Sequence, residues 1–325
     1  MAKKIPHIVK EIKKVHVPEI DYAFNKNISY SQLSIYYNCP HQWGLKYRDG
    51  YKIFEPSIHA VFGTALHITI QEYLTVMYEE SKAAADRLDS EATLKRVLKE
   101  EYQNFYKKNK NIHFSNPAEL AEFYDDGLNI INYIRKRGNI YFSKKGWYLL
   151  GCEMPIVIKP MKGLSNVLFG GFLDLVFYHE PTNTIKILDI KTSTRGWGDK
   201  EKKDEIKMSQ LILYKKFFAE QYNFPIDNIE VEYFITRRKI YEEGDYPQKR
   251  IQEFKPAAGK VKINKANQLL ENFLNDVFNP DGSFKTHELE KRPSKENCRF
   301  CPYSNNPDLC GGLKGSSNNI KFSFQ

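Results

Sequence analysis

The residues best suited to chemistry lie at the ends of two neighbouring apolar segments. Residues 170–192 read GGFLDLVFYHEPTNTIKILDIKT, so Asp174 interrupts the first segment and Asp189 and Lys191 end the second. Strand side chains alternate between faces, so Asp189 and Lys191 should point the same way and Ile190 into the opposite layer. Two carboxylates beside an ammonium group can hold a divalent cation and stabilise the anion that it activates. This combination suits phosphodiester hydrolysis.

The simpler interpretation is a surface ion pair between Asp189 and Lys191. It is disfavoured because the flanking residues are apolar on both faces, as in an interior strand. Burying the two charges there would be costly without partners or a metal ion. The intervening residues 179–183 include Pro and Asn, which predicts a hairpin connection between two paired strands.

Three further side chains are candidates for the same site. His67 follows the small residues Gly63 and Ala65 in a predicted helix, where it is either a structural hydrogen-bonding group or a neutral imidazole ligand. Gln210 and Tyr214 are four residues apart and so project from one helix face. They either lie at a helix rim or reach the mouth of the site and contact Lys191 or a substrate phosphate.

The spacing of the cysteines is a second signal. Cys298 and Cys301 form a Cys-x-x-Cys pair, Cys310 follows, and Cys39 lies far upstream before a proline. Such a pair on a turn fits thiolate ligation of zinc or of an iron–sulfur cluster, and spacing alone does not decide between them. Cys152 lies inside an apolar strand and is predicted to be a small core residue.

The order of predicted elements indicates an α/β fold with a central mixed β-sheet flanked by helices. A capping box at Ser29 and Gln32 predicts that a helix begins there and ends near Asn38. The other predicted helices cover about 58–80, 83–109, 117–138, 204–222 and 260–278. The predicted strands cover 147–158, 167–178, 184–191 and 229–236, and a loop-rich tail begins at Asn279.

The composition predicts a folded, basic protein. The chain has 325 residues, 41% of them hydrophobic, and a formal net charge of +9, which favours a polyanionic partner. No apolar run reaches the ~18 residues of a membrane span, and the start lacks the apolar segment of a secretory signal. Five cysteines in such a chain do not suggest a disulfide scaffold. We expect a cytoplasmic protein of a bacterium, or of a virus in its host, with no membrane partner.

Taken together, these segments resemble the PD-(D/E)XK nuclease superfamily. The similarity is to its RecB-type branch of iron–sulfur exonucleases, which includes AddB C-terminal nuclease domains and CRISPR-adaptation nucleases. It covers about half of the chain, and the combination is more specific than any one motif. The matching segments, in order, are SYSQLSIYYNCP at 29–40, GTALH at 63–67, GGFLD at 170–174, LDIKT at 188–192, QLILY at 210–214, and the terminal cysteines.

The resemblance implies a restriction-endonuclease-like core and a metal-dependent DNA nuclease. The expected activity is that of an exonuclease on single strands or duplex ends in replication, recombination or repair, with helicase, replication or recombination proteins as possible partners. Lys191 would orient or deprotonate the attacking water. The resemblance further implies that Mg²⁺ or Mn²⁺ is bound by His67, Asp174, Asp189 and the Ile190 carbonyl, and that a [4Fe–4S] cluster is bound by Cys39, Cys298, Cys301 and Cys310. Gln210 and Tyr214 would position the strand, and Arg195 and Lys200 would contact phosphates. Glu153 would have a secondary role in the site.

The domain organisation follows from the same reading. A basic N-terminal arm, residues 1–27, precedes a single nuclease domain, residues 28–325, with a helical insertion at about 82–145 and a cysteine segment at about 290–312. The insertion has no recognised counterpart, the gap between the last two cysteines is long for this cluster, and no P-loop helicase motif occurs. Two alternatives remain open: a nucleic-acid-binding or recombination-assembly protein that cleaves nothing, and a nuclease whose four cysteines hold Zn²⁺.

Overall fold

A six-stranded mixed sheet lies at the centre of the protein, which a computed structural model describes for residues 5–241 and 248–310. The strand order is β1-β3-β4-β5-β6, and β2 pairs with β3. The β1/β3 and β4/β5 pairs are parallel, and the β2/β3, β3/β4 and β5/β6 pairs are antiparallel. The strands are β1 (Lys26–Ile28), β2 (Trp147–Ile158), β3 (Val167–His179), β4 (Thr184–Ser193), β5 (Ile229–Arg237) and β6 (Ile251–Phe254).

Helices cover both faces of the sheet, and β4 shows why. Its residues Ile185 and Ile187 pack into a first core with helices α10 (Glu205–Gln221) and α11 (Lys260–Val277). Leu188 and Ile190 pack into a second core with helices α4 (Ile58–Glu79) and α7 (Pro117–Lys136). The predicted α/β class with a central mixed sheet is therefore confirmed. The helices are α1 (His7–Lys14), α2 (Tyr30–Asn38), α3 (Pro40–Trp43), α4 (Ile58–Glu79), α5 (Lys82–Asp86), α6 (Ser90–Lys108), α7 (Pro117–Lys136), α8 (Gly138–Tyr141), α9 (Asp199–Lys203), α10 (Glu205–Gln221), α11 (Lys260–Val277) and α12 (Lys295–Arg299).

The region predicted as a helical insertion contains α5 to α8. The single helix expected over 83–109 is two helices, because the side chain of Asp89 accepts a hydrogen bond from the Ala92 amide and so begins α6 anew. In the same way Asp204 caps α10 and separates it from α9. Polar residues inside a periodic segment therefore set the helix boundaries here.

The N-terminal part differs from the expected arm. Within residues 5–27, α1 places Val9 and Ile12 in the first core, and β1 already pairs with β3 at Lys26. The predicted capping box at the start of α2 is wrong, because Ser29 makes no side-chain cap. The side chain of Gln32 instead donates to the Asn27 carbonyl and accepts from the Trp43 indole. Residues 1–4 of the arm lie outside the described part.

The tail, predicted to be rich in loops, docks on the body of the protein through apolar side chains. Leu289 and Tyr303 are almost fully buried, and the Tyr303 hydroxyl donates to the carbonyl of Tyr51. Residues 311–325, which include the end of the predicted cysteine segment, lie outside the described residues. Over residues 5–241 and 248–310, no helix has both the length and the apolar character needed to cross a bilayer.

Candidate active site

The predicted carboxylates lie together where β3 and β4 stop pairing. The ladder between these strands runs from His179 and Thr184 to Leu175 and Leu188, and Asp174 and Asp189 come next on each strand. Oδ2 of Asp174 accepts a hydrogen bond of 2.7 Å from the Ile190 amide across the gap. The ends of the two strands therefore present their carboxylates to one site.

Asp189 is held at the bottom of this site. It is only 3% exposed, and its Oδ2 forms an ion pair with Lys191 Nζ at 2.8 Å without accepting another hydrogen bond. Its Oδ1 accepts a hydrogen bond of 3.1 Å from Gln210 Nε2. Asp189 and Lys191 thus share a strand face, as strand alternation predicts, and Ile190 packs into the second core on the other side.

Helix α4 brings His67 to the same strand ends. Nδ1 of His67 lies 3.6 Å from Oδ2 of Asp174. The pKa of His67 is lowered to about 4, chiefly by burial and also by the positive charge of Lys191, while a hydrogen bond to the Ile190 main chain opposes the shift. The imidazole is therefore neutral at physiological pH, the form that can ligate a metal ion.

Glu153 completes a group that the sequence only partly anticipated. One ligand atom each from His67, Glu153 and Asp174 lies within 4.8 Å of the others. Glu153 has a backbone φ of 49°, an unusual value for a residue other than glycine or asparagine. It interrupts the pairing of β2 with β3 opposite Asp174. The local backbone thus places a carboxylate that regular strand geometry would not predict.

Gln71 supports this group and was missed by the sequence reading. Its Nε2 donates 2.6 Å to Oε1 of Glu153 and 3.1 Å to the main-chain carbonyl of Asp174. It lies four residues after His67 and so on the same face of α4. That spacing was the available signal, although a buried glutamine alone does not specify a partner.

The site concentrates negative charge. Burial raises the pKa of Asp174 well above its ordinary value, and the charges of Asp189 and then Glu153 raise it further, whereas Lys191 and the Ile190 amide oppose this. Burial likewise raises the pKa of Asp189, against the effect of Lys191. Three ionised carboxylates and one ammonium would leave two uncompensated negative charges. A divalent cation fits this charge, and carboxylate oxygens are the ligands that Mg²⁺ and Mn²⁺ favour.

Gln210 and Tyr214 lie elsewhere than expected. Both side chains are buried, and Gln210 contacts Asp189 rather than Lys191. A Cβ atom at Gly171 would lie 3.1 Å from the Tyr214 hydroxyl, so Tyr214 packs against the bare backbone of β3. The two residues therefore support Asp189 from behind, and the prediction that they reach the mouth of the site is corrected.

The two residues predicted to contact phosphates, Arg195 and Lys200, lie in different surroundings. Arg195 is exposed in the loop after β4. Lys200 instead forms an exposed ion pair with Glu296 on α12, away from the carboxylates. Such an exposed pair contributes little to stability.

Cys39, Cys298, Cys301 and Cys310 line one small cavity, which we call the cysteine cavity. The pKa of Cys301 is raised to about 11, chiefly by burial, against a hydrogen bond from the Tyr303 main chain; the other three cysteines add to the rise, so the thiols are close enough to interact. Within the described parts of the chain, their sulfurs do not form a group of three within 4.8 Å. Cys152 lies apart, half-buried beside Thr75 on α4, as expected of a packing residue.

Hydrogen bonds join the two chain segments around the cysteine cavity. Asn297 Nδ2 donates 2.7 Å to the carbonyl of Asn38, and Arg292 donates 2.9 Å to that of Tyr37. The ring of His41 lies 3.0 Å from the carbonyl of Leu309. Lys291 and Arg292 also line the cavity, where their positive charges would favour thiolates.

Comparison with known proteins now assigns the family. Residues 27–306, most of the chain, match the PD-(D/E)XK nuclease superfamily. The chain belongs to the PD-(D/E)XK nuclease superfamily. The matched range includes Asp174 and Asp189-Ile190-Lys191. Members of this superfamily use divalent metal ions, which agrees with the charge and donor set of the site.

Two further comparisons were made. A solved structure from Eubacterium rectale, described as a "Putative exonuclease", has a TM-score of 0.48 and 12% sequence identity, and the match covers 88% of this chain and 91% of that one. This similarity carries no weight in assigning the site. No curated protein matches the chain at a significant level.

Proposed function

We propose that this PD-(D/E)XK protein is a Mg²⁺- or Mn²⁺-dependent DNA exonuclease that hydrolyses phosphodiester bonds of single strands or duplex ends. The observation that carries the proposal is the convergence of Asp174, Asp189 and Lys191 at two strand ends, with His67 and Glu153 beside them. A surface ion pair between Asp189 and Lys191 would not require Asp174, His67 and Glu153 to be gathered around it.

The metal would be held by Asp174, Asp189, Glu153 and His67, with the Ile190 carbonyl as a further candidate. When bound, a divalent cation lowers the pKa of a bound water and offsets the negative charge that develops on the phosphate. The neutral state of His67 leaves a ring nitrogen able to ligate. Gln71 holds the Glu153 carboxylate by a hydrogen bond. Residues that do not ligate the metal themselves commonly orient metal ligands in this way.

Lys191 has a separate role in the proposed reaction. Its ammonium group lies 2.8 Å from Asp189 and is about one-third exposed, so it can face both the carboxylate and the incoming phosphate. From there it can orient the attacking water and stabilise negative charge in the transition state. Gln210 holds the other oxygen of Asp189, so that the carboxylate keeps one orientation.

The proposal extends to the biological setting. The net charge of +9 supports a DNA partner, and exposed Arg195 is available for a phosphate contact. Since the sequence has no P-loop motif, any unwinding would come from a helicase, replication or recombination protein. DNA replication, recombination or repair is the corresponding process, in the cytoplasm of a bacterium or a virus-infected host.

The cysteine cavity is proposed to bind a [4Fe–4S] cluster, as in the RecB-type branch. The supporting observations are the four thiols around one cavity and the two basic side chains beside them. A tetrahedral zinc site with Zn–S bonds of about 2.3 Å would need its sulfur atoms about 4 Å apart. Among the described residues, no three of the cysteine sulfurs lie within 4.8 Å of one another, which favours the larger cluster over a single zinc ion. A brown protein with thiolate-to-iron charge-transfer absorbance supports the cluster, and a colourless protein containing one zinc per chain contradicts it.

Labelled oligonucleotides test the proposed activity. Single-stranded and duplex DNA carrying a 5′ or a 3′ label should be shortened from an end in Mn²⁺ or Mg²⁺ and remain intact in EDTA. Single-stranded RNA serves as the comparison substrate. If purified protein binds DNA but cleaves none of these substrates with either metal, the non-cleaving alternative is correct and the nuclease proposal is wrong.

A further inference from the structure

A large aromatic side chain lies exposed beside the carboxylates. Phe172 is 59% exposed, although it lies on β3, an inner strand of the sheet, two residues before Asp174. Its cross-strand partner on β2 is Pro155. An exposed phenylalanine on a rigid strand next to a candidate active site needs an explanation that a scattered surface residue does not.

The direction of Phe172 follows from its neighbours. Leu173 packs into the first core and Leu175 into the second, so the regular alternation of β3 is broken at Asp174. Phe172 precedes Leu173 and therefore points to the opposite face, the one that α4 and His67 approach. Its exposure of 59% means that α4 leaves the ring open to solvent, two residues before Asp174 along β3.

The carboxylates themselves are recessed. The side chains of Asp174 and His67 are 14% and 25% exposed, and Asp189 is almost completely buried. A scissile phosphate must therefore enter the space between α4 and the sheet. A single strand can bend into such a space at little cost, whereas bending a duplex into it costs deformation energy.

An apolar side chain lies on the helix that borders this space. Ile68 directly follows His67 on α4 and is 38% exposed. Thr64 and Glu72 are also exposed and lie one turn before and after it, so they form a solvent-facing stripe next to the His67 and Gln71 face. Phe172 on the sheet and Ile68 on the helix would meet an entering nucleotide with apolar surface rather than hydrogen-bonding groups.

We propose that Phe172 forms a nucleobase subsite, on which one unpaired base stacks while its neighbouring phosphate reaches Asp174 and Lys191. The inference rests on the proposed nuclease function and deepens it. Every base has a π-face, so stacking on phenylalanine selects unpaired nucleotides without selecting sequence. Ile68 packs against the edge of the stacked nucleotide. The subsite makes the enzyme bind single-stranded DNA in preference to blunt duplex.

Binding measurements test the subsite separately from cleavage. Fluorescence anisotropy with a single-stranded oligonucleotide in Ca²⁺ should show Phe172→Ala weakened about 5- to 100-fold, the loss expected for one base–aromatic stack. Phe24→Ala is the matched control, because Phe24 is 76% exposed in the turn before β1, and its affinity should be unchanged. Phe172→Tyr should bind like the original protein, whereas Phe172→Leu, which keeps apolar bulk without the π-face, should not.

Abasic oligonucleotides identify the stacked position directly. A single abasic residue moved along the strand should weaken binding to the original protein at one position and leave Phe172→Ala unaffected there. In a Phe172→Trp variant, the fluorescence of a 2-aminopurine placed at that position should be quenched on binding, because the base stacks on the indole ring. If the original protein cleaves DNA but every abasic position affects it and Phe172→Ala equally, the subsite is wrong and the nuclease stands. If the original protein neither cleaves nor binds oligonucleotides, both proposals fall.

Discussion

The active-site group and the cysteine cavity are built in opposite ways. The first lies on the ends of β3 and β4 and on α4, elements that pack into the two cores. The second lies between the α2–α3 junction and the tail, which are joined largely by hydrogen bonds from side chains to carbonyls. In the described part of the tail, residues 279–310, the apolar side chains that are almost fully buried are Leu289 and Tyr303.

The difference shows where each site obtains its rigidity. The sheet and helices hold the carboxylates together at an electrostatic cost, which appears as raised pKa values of Asp174 and Asp189. Core packing elsewhere offsets that cost, so this site should persist without metal. The cysteine cavity has less packing of its own and should depend more on what it binds.

The largest expected effect is on catalysis. We expect Lys191→Ala and Asp189→Ala each to lower the cleavage rate by at least ~10²-fold, the scale of one preorganised electrostatic contact, with DNA binding largely retained. Rates on a labelled oligonucleotide and anisotropy measure the two properties. Lys203→Ala, which removes an exposed lysine that pairs with Asp199, is the control. Near-normal turnover by Lys191→Ala would rule out its assigned role.

The second effect should appear in the cysteine cavity. Cys39→Ser and Cys301→Ser should both lose the bound metal and show a lower melting temperature and faster proteolysis of the tail. Cys152→Ser should keep the metal, because Cys152 lies beside Thr75 and not in the cavity. Metal analysis, visible absorbance and thermal melts compare the three variants. Full metal content in Cys39→Ser would contradict a site made of four cysteines.

A smaller effect should follow when the support of Glu153 is removed. Gln71→Ala should weaken Mn²⁺ binding about 10- to 100-fold, the usual range for a residue that orients a metal ligand. Titration calorimetry of the metal-free protein measures this. Glu72→Ala, the exposed neighbour on α4, should leave the affinity unchanged. Equal effects of the two substitutions would show that Gln71 does not act through Glu153.

The smallest effect concerns stability without metal. A carboxyl group whose pKa is raised on folding binds its proton more tightly in the folded state, so its contribution to stability falls as pH rises above its ordinary value. Asp174→Asn removes this penalty. In EDTA the variant should melt a few degrees higher than the original protein at pH 8 and approach it near pH 4. A lower melting point at pH 8 would mean that the carboxylate cluster is not strained.

Strand alternation and helix spacing predicted a large part of this site. The shared face of Asp189 and Lys191 required only the two-residue period of a strand, and the interior position of β4 was evident from its apolar residues. The major helices and strands were predicted for the same reason, since each carries a long periodic pattern.

The sequence could not predict features that depend on local backbone or on tertiary partners. Glu153 reaches the site through a positive φ that glutamate rarely adopts. The short strands β1 and β6 contain three and four residues, too few for a periodic pattern. Gln210 was placed on the correct helix face, but whether that face lies at the mouth or behind Asp189 depends on how α10 packs against the sheet.

Helix α2 has a consequence for the order in which the protein is completed during synthesis. Burial raises the pKa of its first residue, Tyr30, and the nearby carboxylate of Asp189 adds to this rise. Cys39 follows the last residue of the helix. The hydroxyl groups of Tyr36 and Tyr37 donate to Asp276 and to the carbonyl of Leu269 on α11. A helix made within the first 38 residues therefore lacks part of its docking surface until α11 has left the ribosome. Because such distant contacts close late, the wall of the active site beside Asp189 is assembled only when most of the chain exists.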